Sequence, residues 1–411
     1  MSGTIADRVL LDPGVLSHVL SFLPRQCVLD PVCKSIRDVM HEVGRYAVEF
    51  SEKSINIANS RVKRPDLQLR VEYYLNDLNR PGEVPVACLH DVSAYNEVKI
   101  HICNSDGLDR LDLAPLANNT VGLFLNRAPR VLPELSLLKN FKKLQQLRLS
   151  HSNAMNISWL AELTELKLLD ISYSPVSDLT PLEGLKHLED LDFDCTRVEC
   201  IAPLRYLVRL RNLEFRHITV SSIDSLQHLQ LLSTLHFNLL NVADWSVLPK
   251  LRSLRELALE LTSFSPERFY RRDIDTNEPW AAVHKLPFLA NMKQLIRLSV
   301  TEDSAPIICI NSLREVTHLR VLDIANTHIA DITPLSEMHE LEEFFADMTR
   351  ISDVSVLGGL ASLRKLGLER TRVTDVSCLE RCSLLRVLCI NRDVRGYQNL
   401  ISRGVYVDRN Y

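Results

Sequence analysis

Leucine returns at a fixed interval along most of this chain. The clearest segments begin at Leu144, Leu166, Leu188, Leu210, Leu232 and Leu254, and again at Leu319, Leu341, Leu363 and Leu385. Within each run every step is 22 residues (166 − 144, 341 − 319). Few folds tolerate such a period. A unit this short cannot bury its apolar side alone, so copies must stack and share one elongated core. A stacked array grows in one dimension, and 411 residues therefore need not divide into several globular domains.

The segment from Leu166 shows how each copy is built. Leu169 and Ile171 lie two apart, the period of a strand buried on one face. Val176, Leu179, Leu182 and Leu185 follow at spacings of three, which suits a tight 3₁₀-like return. The next copy keeps the register with Leu188, Leu191, Phe193, Val198, Ile201, Leu204 and Leu207. Looser copies sit at Tyr95-x-x-Val98-x-Ile100, Thr120-x-x-Leu123-x-Leu125 and Leu295-x-x-Leu298-x-Val300. Thirteen strands follow from this reading. At ~4.8 Å each they would trace an inner arc of roughly 60 Å.

The L-x-x-L-x-L frame resembles the 22-residue class of leucine-rich repeat, which includes the phosphatase-1 regulatory leucine-rich subunit and the bacterial internalins. The resemblance covers about three quarters of the chain. It implies an α/β leucine-rich repeat solenoid: a curved parallel β-sheet horseshoe of about 13 strands with a small N-terminal helical domain. Internalins are exported and no leader is legible here, so the kinship with them is expected to be architectural. The repeats would occupy residues 95–390, a connector or N-terminal cap residues 51–94, and a C-terminal cap residues 391–411. Within the connector, Val71-Glu72-Tyr73-Tyr74-Leu75 reads as a short helix. The final segment reads as a helix closed by Gly404 and then a short strand.

Residues 1–50 do not follow the repeat. Leu16, Val19, Leu20 and Leu23 fall on one helical face, and Pro24 ends that helix. The segment resembles an F-box, in which a Leu-Pro start leads to a Leu-x-x-Ile/Val-Leu-x-x-Leu-Pro helix and a Val-Cys-Lys/Arg-x-Trp-Arg block. Leu11 with Pro13, the stretch from Val15 and Leu16 to Pro24, and Val32-Cys33-Lys34-Ser35-Ile36-Arg37 take the matching places. Ile36 stands where the family has Trp. The resemblance implies docking on a Skp-type adaptor of a cullin ubiquitin ligase, with the repeats presenting an unknown protein substrate. The other reading of the same residues is a helical cap on the first repeat.

Between Leu254 and Leu295 the step is 41, or 19 more than one repeat. The insertion, about residues 263–281, carries Arg268, Arg271 and Arg272 beside Tyr270 and Trp280. Those residue types are enriched at interface hot spots. A self-packed loop explains them equally.

In each strand the positions between the buried leucines face the concave side. From Leu166 to Leu210 these include Asp170, Asp190, Asp192, Asp194 and Glu214, with Arg216 as the nearby base. An acidic groove for a basic partner and a merely solvated face both fit. Further on, Val321, Phe345 and Val387 take outward slots, with Met348 just beyond and Arg350, Arg370 and Arg372 at the strand exits. A two-part surface is expected, acidic in the middle and apolar with basic edges toward the C-terminus.

Nothing in the sequence reads as an active site. Gly-rich phosphate loops, H-E-x-x-H and G-x-S-x-G are missing, and no catalytic residue, metal or cofactor is expected. The ten cysteines form no C-x-x-C pair, so they read as small buried residues in a reducing cytoplasmic or nuclear setting. No apolar run is long enough to span a membrane. A net charge of −4 argues against nucleic acid as the partner. The expected function is protein–protein interaction, as the substrate-recruiting F-box subunit of a ubiquitin ligase. The alternative is a scaffold or regulatory subunit of a phosphatase, ribonucleoprotein or cytoskeletal assembly.

Overall fold

A computed structural model describes residues 47–50, 70–75, 97–102, 117–125, 135–238, 242, 244–261, 286–302, 307 and 309–409. The F-box-like residues Leu11 to Cys33 and the insertion residues Arg268 to Trp280 lie outside the described residues. The chain forms two units, one of residues 1–154 and 158–170, the other of residues 155–157 and 171–411.

Among the described residues, six parallel strands run in chain order through the first unit. They are β1 (Ala47–Phe50), β2 (Arg70–Leu75), β3 (Glu97–Ile102), β4 (Thr120–Leu125), β5 (Gln146–Arg148) and β6 (Leu168–Asp170). β2 corrects the helix expected over Val71–Leu75. It pairs with β3 in the register Val71↔Val98 and Tyr73↔Ile100. Its β-branched and aromatic residues favour an extended backbone, and period-two alternation outweighs the short helical reading.

Among the described residues, the second unit has ten parallel strands. They are β7 (Asp190–Asp192), β8 (Asn212–Phe215), β9 (Thr234–Asn238), β10 (Glu256–Leu261), β11 (Arg297–Glu302), β12 (Val321–Asp323), β13 (Glu343–Phe345), β14 (Lys365–Gly367), β15 (Val387–Cys389) and β16 (Tyr406–Asp408). Each pairs with its successor without a register shift. The thirteen strands expected from the repeats are β3 to β15.

The return segments are 3₁₀ helices, among them Ala202–Tyr206, Asp224–His228, Asn311–Glu315, Ser355–Gly359 and Ser377–Arg381. Several begin with an Asx turn. The N–H groups of Thr180, Ser246, Thr333, Ser355 and Ser377 donate to Asp178, Asp244, Asp331, Asp353 and Asp375 at 2.7–2.9 Å, which stabilises a tight first turn.

Between strand and return lies the leucine core. Leu188, Leu204, Leu207, Leu210, Leu213 and Leu226 are fully buried. Phe193, Phe215 and Phe237 replace leucine at one rung of three successive repeats and stack, with centroids 5.4 and 5.3 Å apart. A threonine hydroxyl lines the turn after several strands. Thr196, Thr327, Thr349 and Thr371 donate to the carbonyls of Phe193, Ile324, Ala346 and Leu368 at 2.7–2.8 Å, so the apolar interior keeps no unpaired hydroxyl at these places. At the end of the unit a short helix, α1 (Gln398–Ser402), is closed by Gly404 at φ +83° before β16, as expected. Each unit is therefore a run of leucine-rich repeat solenoid, the fold class read from the sequence.

Candidate functional site

The leucines fill one side of the second unit's sheet. Its other side is built from the residues between them, and strand pairing fixes which of these are neighbours. One row runs Asp190, Asn212, Thr234, Glu256, Arg297, Val321, Glu343, Lys365, Val387 and Tyr406. The next runs Asp192, Glu214, His236, Ala258, Ser299, Asp323, Phe345, Gly367, Cys389 and Asp408. A partial third row adds Asp194, Arg216, Glu260, Asp347 and Glu369. Among the described residues these rows hold eleven carboxylates against three permanently charged bases, Arg216, Arg297 and Lys365. The chain as a whole carries 52 acidic and 48 basic side chains, so the face is far more acidic than the molecule.

Toward β7 the charges are tied together. Arg216 lies over Asp194, with Nη2 2.8 Å from Asp194 Oδ2 and 3.1 Å from Glu214 Oε2. Asp194 also accepts the Arg216 backbone N–H at 2.5 Å. It is only 4% exposed, which corrects its reading as an open groove residue. The reason is the neighbouring strand: the long Arg216 side chain folds back over the shorter one. His236 stands between two carboxylates, Nδ1 3.5 Å from Glu214 and Nε2 3.4 Å from Glu256. Burial lowers its pKa, but the hydrogen bond and charge of Glu214, helped by Glu256, outweigh burial and leave it raised. Glu214 is lowered, chiefly by its hydrogen bond to His236. Asp190 and Asp192 are half-buried in the first two rows. Asp170 belongs to the first unit, where it pairs in register with Arg148, itself packed 5.6 Å over the Phe124 ring.

Toward β16 Glu343 is paired with Lys365 at 2.8 Å, but Asp347 and Glu369 make no ion pair with another described residue. Burial raises the pKa of Asp347, with Asp323 adding to it. Burial likewise raises Glu369, and the charges of Asp347 and Asp408 add to that. These groups repel one another across adjacent strands. The sequence reading placed the acidic part only in the middle of the face. The carboxylates in fact continue through Glu256, Glu260, Asp323, Glu343, Asp347, Glu369 and Asp408, interleaved with the expected apolar residues. The slot rule applied to every strand, not only those from Leu166 to Leu210, would have found most of them.

Phe345, Val321 and Val387 are half-buried in the outward rows. Phe345 and Val321 line a hollow of about 170 Å³ together with Ala258, Ser299, Glu256, Asp323, Glu343 and Arg297. Met348 is 47% exposed just beyond it. Arg350, Arg370 and Arg372 are all exposed at the strand exits, with Arg370 Nη1 4.0 Å from Met348 Sδ.

Among the described residues no three His, Cys, Asp or Glu side chains are grouped to hold a metal ion, and no helix is long and apolar enough to cross a membrane. No family model matches the chain, and no curated protein matches it in sequence. Solved structures do match. An internalin, InlF, from Listeria monocytogenes is 22% identical, covering 72% of this chain and 80% of its own, with a TM-score of 0.54. A leucine-rich repeat protein of Leptospira interrogans is 14% identical, covering 89% of this chain and 100% of its own, with a TM-score of 0.56. Both likenesses are of fold.

Proposed function

We propose that the chain is a protein-binding module and that the face of β7–β16 opposite the leucine core is its docking surface. One observation carries the reading: this sheet face holds eleven carboxylates, three of which, Glu256, Asp323 and Glu343, line a half-buried aromatic hollow. A face meant only for solubility needs charge but no aromatic floor, and clustered apolar surface ringed by polar groups marks interaction sites. Acidic surface also speeds encounter with a basic partner.

The N-terminal segment gives the module a destination. Its F-box resemblance supports a role as the substrate-recruiting subunit of a cullin ubiquitin ligase, with Leu11, Pro13, Val15, Leu16, Val19, Leu20, Leu23, Pro24, Val32 and Cys33 meeting a Skp-type adaptor. That part rests on sequence alone. Affinity purification of the full chain tests both halves. Leu20→Asp should release the adaptor and keep the other partners, whereas Asp190→Lys with Asp192→Lys should weaken substrate capture and keep the adaptor. A stable assembly without any adaptor would instead make the chain a scaffold.

A further inference from the structure

The hollow at β10–β13 is small and chemically lopsided. Its ~170 Å³ equals the volume of roughly five or six waters at ~30 Å³ each. Small-molecule sites run to about 300–1,000 Å³, so this one suits a single long side chain. Phe345, Val321 and Ala258 supply an apolar floor, while Glu256, Asp323 and Glu343 stand at its sides. Arg297 is a fourth wall and makes no ion pair with another described residue. Lys365 offsets Glu343 at 2.8 Å and His236 stands 3.4 Å from Glu256, which leaves Asp323 as the carboxylate of the hollow without an ion pair among the described residues.

We propose that this hollow receives one arginine or lysine side chain from an extended basic segment of a partner protein, its stem on Phe345 and Val321 and its charged head among Glu256, Asp323 and Glu343. A stem with a cationic head is amphipathic in the same sense as the cavity, and an aromatic face attracts cations. The surroundings extend the match. From Asp323 on β12 to Asp408 on β16 is four strand steps, about 19 Å at ~4.8 Å each, which six extended residues at ~3.3 Å span. Along that path Asp347 and Glu369 repel one another and Asp323 and Asp408, and a second basic residue would relieve them.

This inference rests on the docking-surface reading and is separable from it. The test pans phage-displayed random dodecapeptides against the full chain, then measures selected peptides on Glu343→Lys and on Ala258→Arg, which plugs the hollow with the chain's own cation. Enriched peptides should be rich in Arg or Lys. They should bind each variant about tenfold more weakly and lose affinity as salt rises from about 0.1 to 0.5 M. Binding to Glu340→Lys, a residue paired with His318 away from this face, should be unchanged. Circular dichroism confirms that each variant is folded. Enrichment of acidic or neutral peptides, no enrichment, or binding to either hollow variant as tight as to the wild type would overturn the proposal. Native partners that ignore Glu343→Lys and Ala258→Arg but need Asp190 and Asp192 would sink this inference and spare the broader reading. Partners indifferent to every face variant would remove both.

Discussion

Arg216→Met should cost about 2 kcal/mol of stability, and the structure says why the figure is neither zero nor five. The substitution keeps an unbranched apolar stem and removes the charge. At 2.8 Å, an effective dielectric of ~20 gives a gross attraction of roughly 6 kcal/mol. Most of that is offset, because Asp194 is nearly dehydrated while Arg216 remains about a third exposed, at 35%. Fully exposed pairs contribute under ~1 kcal/mol, and breaking a buried pair costs about 3–5 kcal/mol. Asp194 keeps one strong donor after the substitution, the backbone N–H of residue 216 at 2.5 Å, which holds the loss toward the lower end. Urea unfolding followed by circular dichroism measures it, with the same experiment on Asp194→Asn and on the double variant. Coupling between the two sites should be about 1–2 kcal/mol, since they touch. A loss below ~0.5 kcal/mol, or strict additivity, would show that Asp194 is hydrated in solution and that the closed corner of the face does not exist.

Phe215→Ala removes the middle ring of the Phe193–Phe215–Phe237 stack and should destabilise by about 3–5 kcal/mol, while Phe215→Leu should cost under ~1.5 kcal/mol; equal losses for the two would deny the stack. Folding favours charged His236, so its contribution is complete below the unfolded pKa near ~6.5 and fades as pH rises through the higher folded value. Thermal unfolding across about pH 5.5–8.5 should show this in the wild type and a flatter profile for His236→Gln; parallel profiles would count against the Glu214–His236–Glu256 arrangement. Gly367→Ala would place its Cβ 2.5 Å from Asp347 Oδ2, so the carboxylate must shift, which disturbs the bond its Oδ1 accepts from the Glu369 N–H at 2.7 Å. A lowered melting temperature and faster exchange of the Glu369 amide are expected, and an unchanged amide would contradict the contact.

What could be seen in the sequence was what each repeat does for itself. Spacings of two and three dictate a strand and a 3₁₀ return, because burying leucine on one side leaves the backbone few other ways to travel. Gly404 closed its helix because only φ > 0 fits there. What escaped were effects that pass between repeats. Asp194 occupies an outward slot by its own strand's alternation and is covered only because Arg216 comes from the next strand. β2 was misread because six residues of mixed pattern have no helical contact to support them, whereas pairing with β3 supports a strand. Asp347 and Glu369 lie two residues past their strands, as Asp194 does past β7, and the charges of Asp323 and Asp408 that act on them come from other repeats.

The turn after each strand shows how the scaffold and the binding face are reconciled. His151, Tyr173, Cys195 and His217, then Asn326, Met348 and Arg370, recur at the same repeat position with φ between 52° and 59°. That left-handed conformation costs a non-glycine residue roughly 1–2 kcal/mol, and Asn326, His151 and His217 are of types enriched there, while Tyr173, Cys195, Met348 and Arg370 are not. The conformation is kept because it turns the N–H toward the neighbouring repeat. Tyr173, Cys195 and Met348 donate to the carbonyls of Asp194, Arg216 and Glu369 at 2.7–3.0 Å, each bond worth about 1 kcal/mol net. Arg370 instead donates to the Asn391 side chain at 2.6 Å, and Asn391 returns a bond to the Thr371 carbonyl. The hydrogen bond thus roughly cancels the strain. Tyr173 and Met348 are exposed by 50% and 47%. They stand at the strand exits, beside the rows of carboxylates, where a docked segment would meet them first.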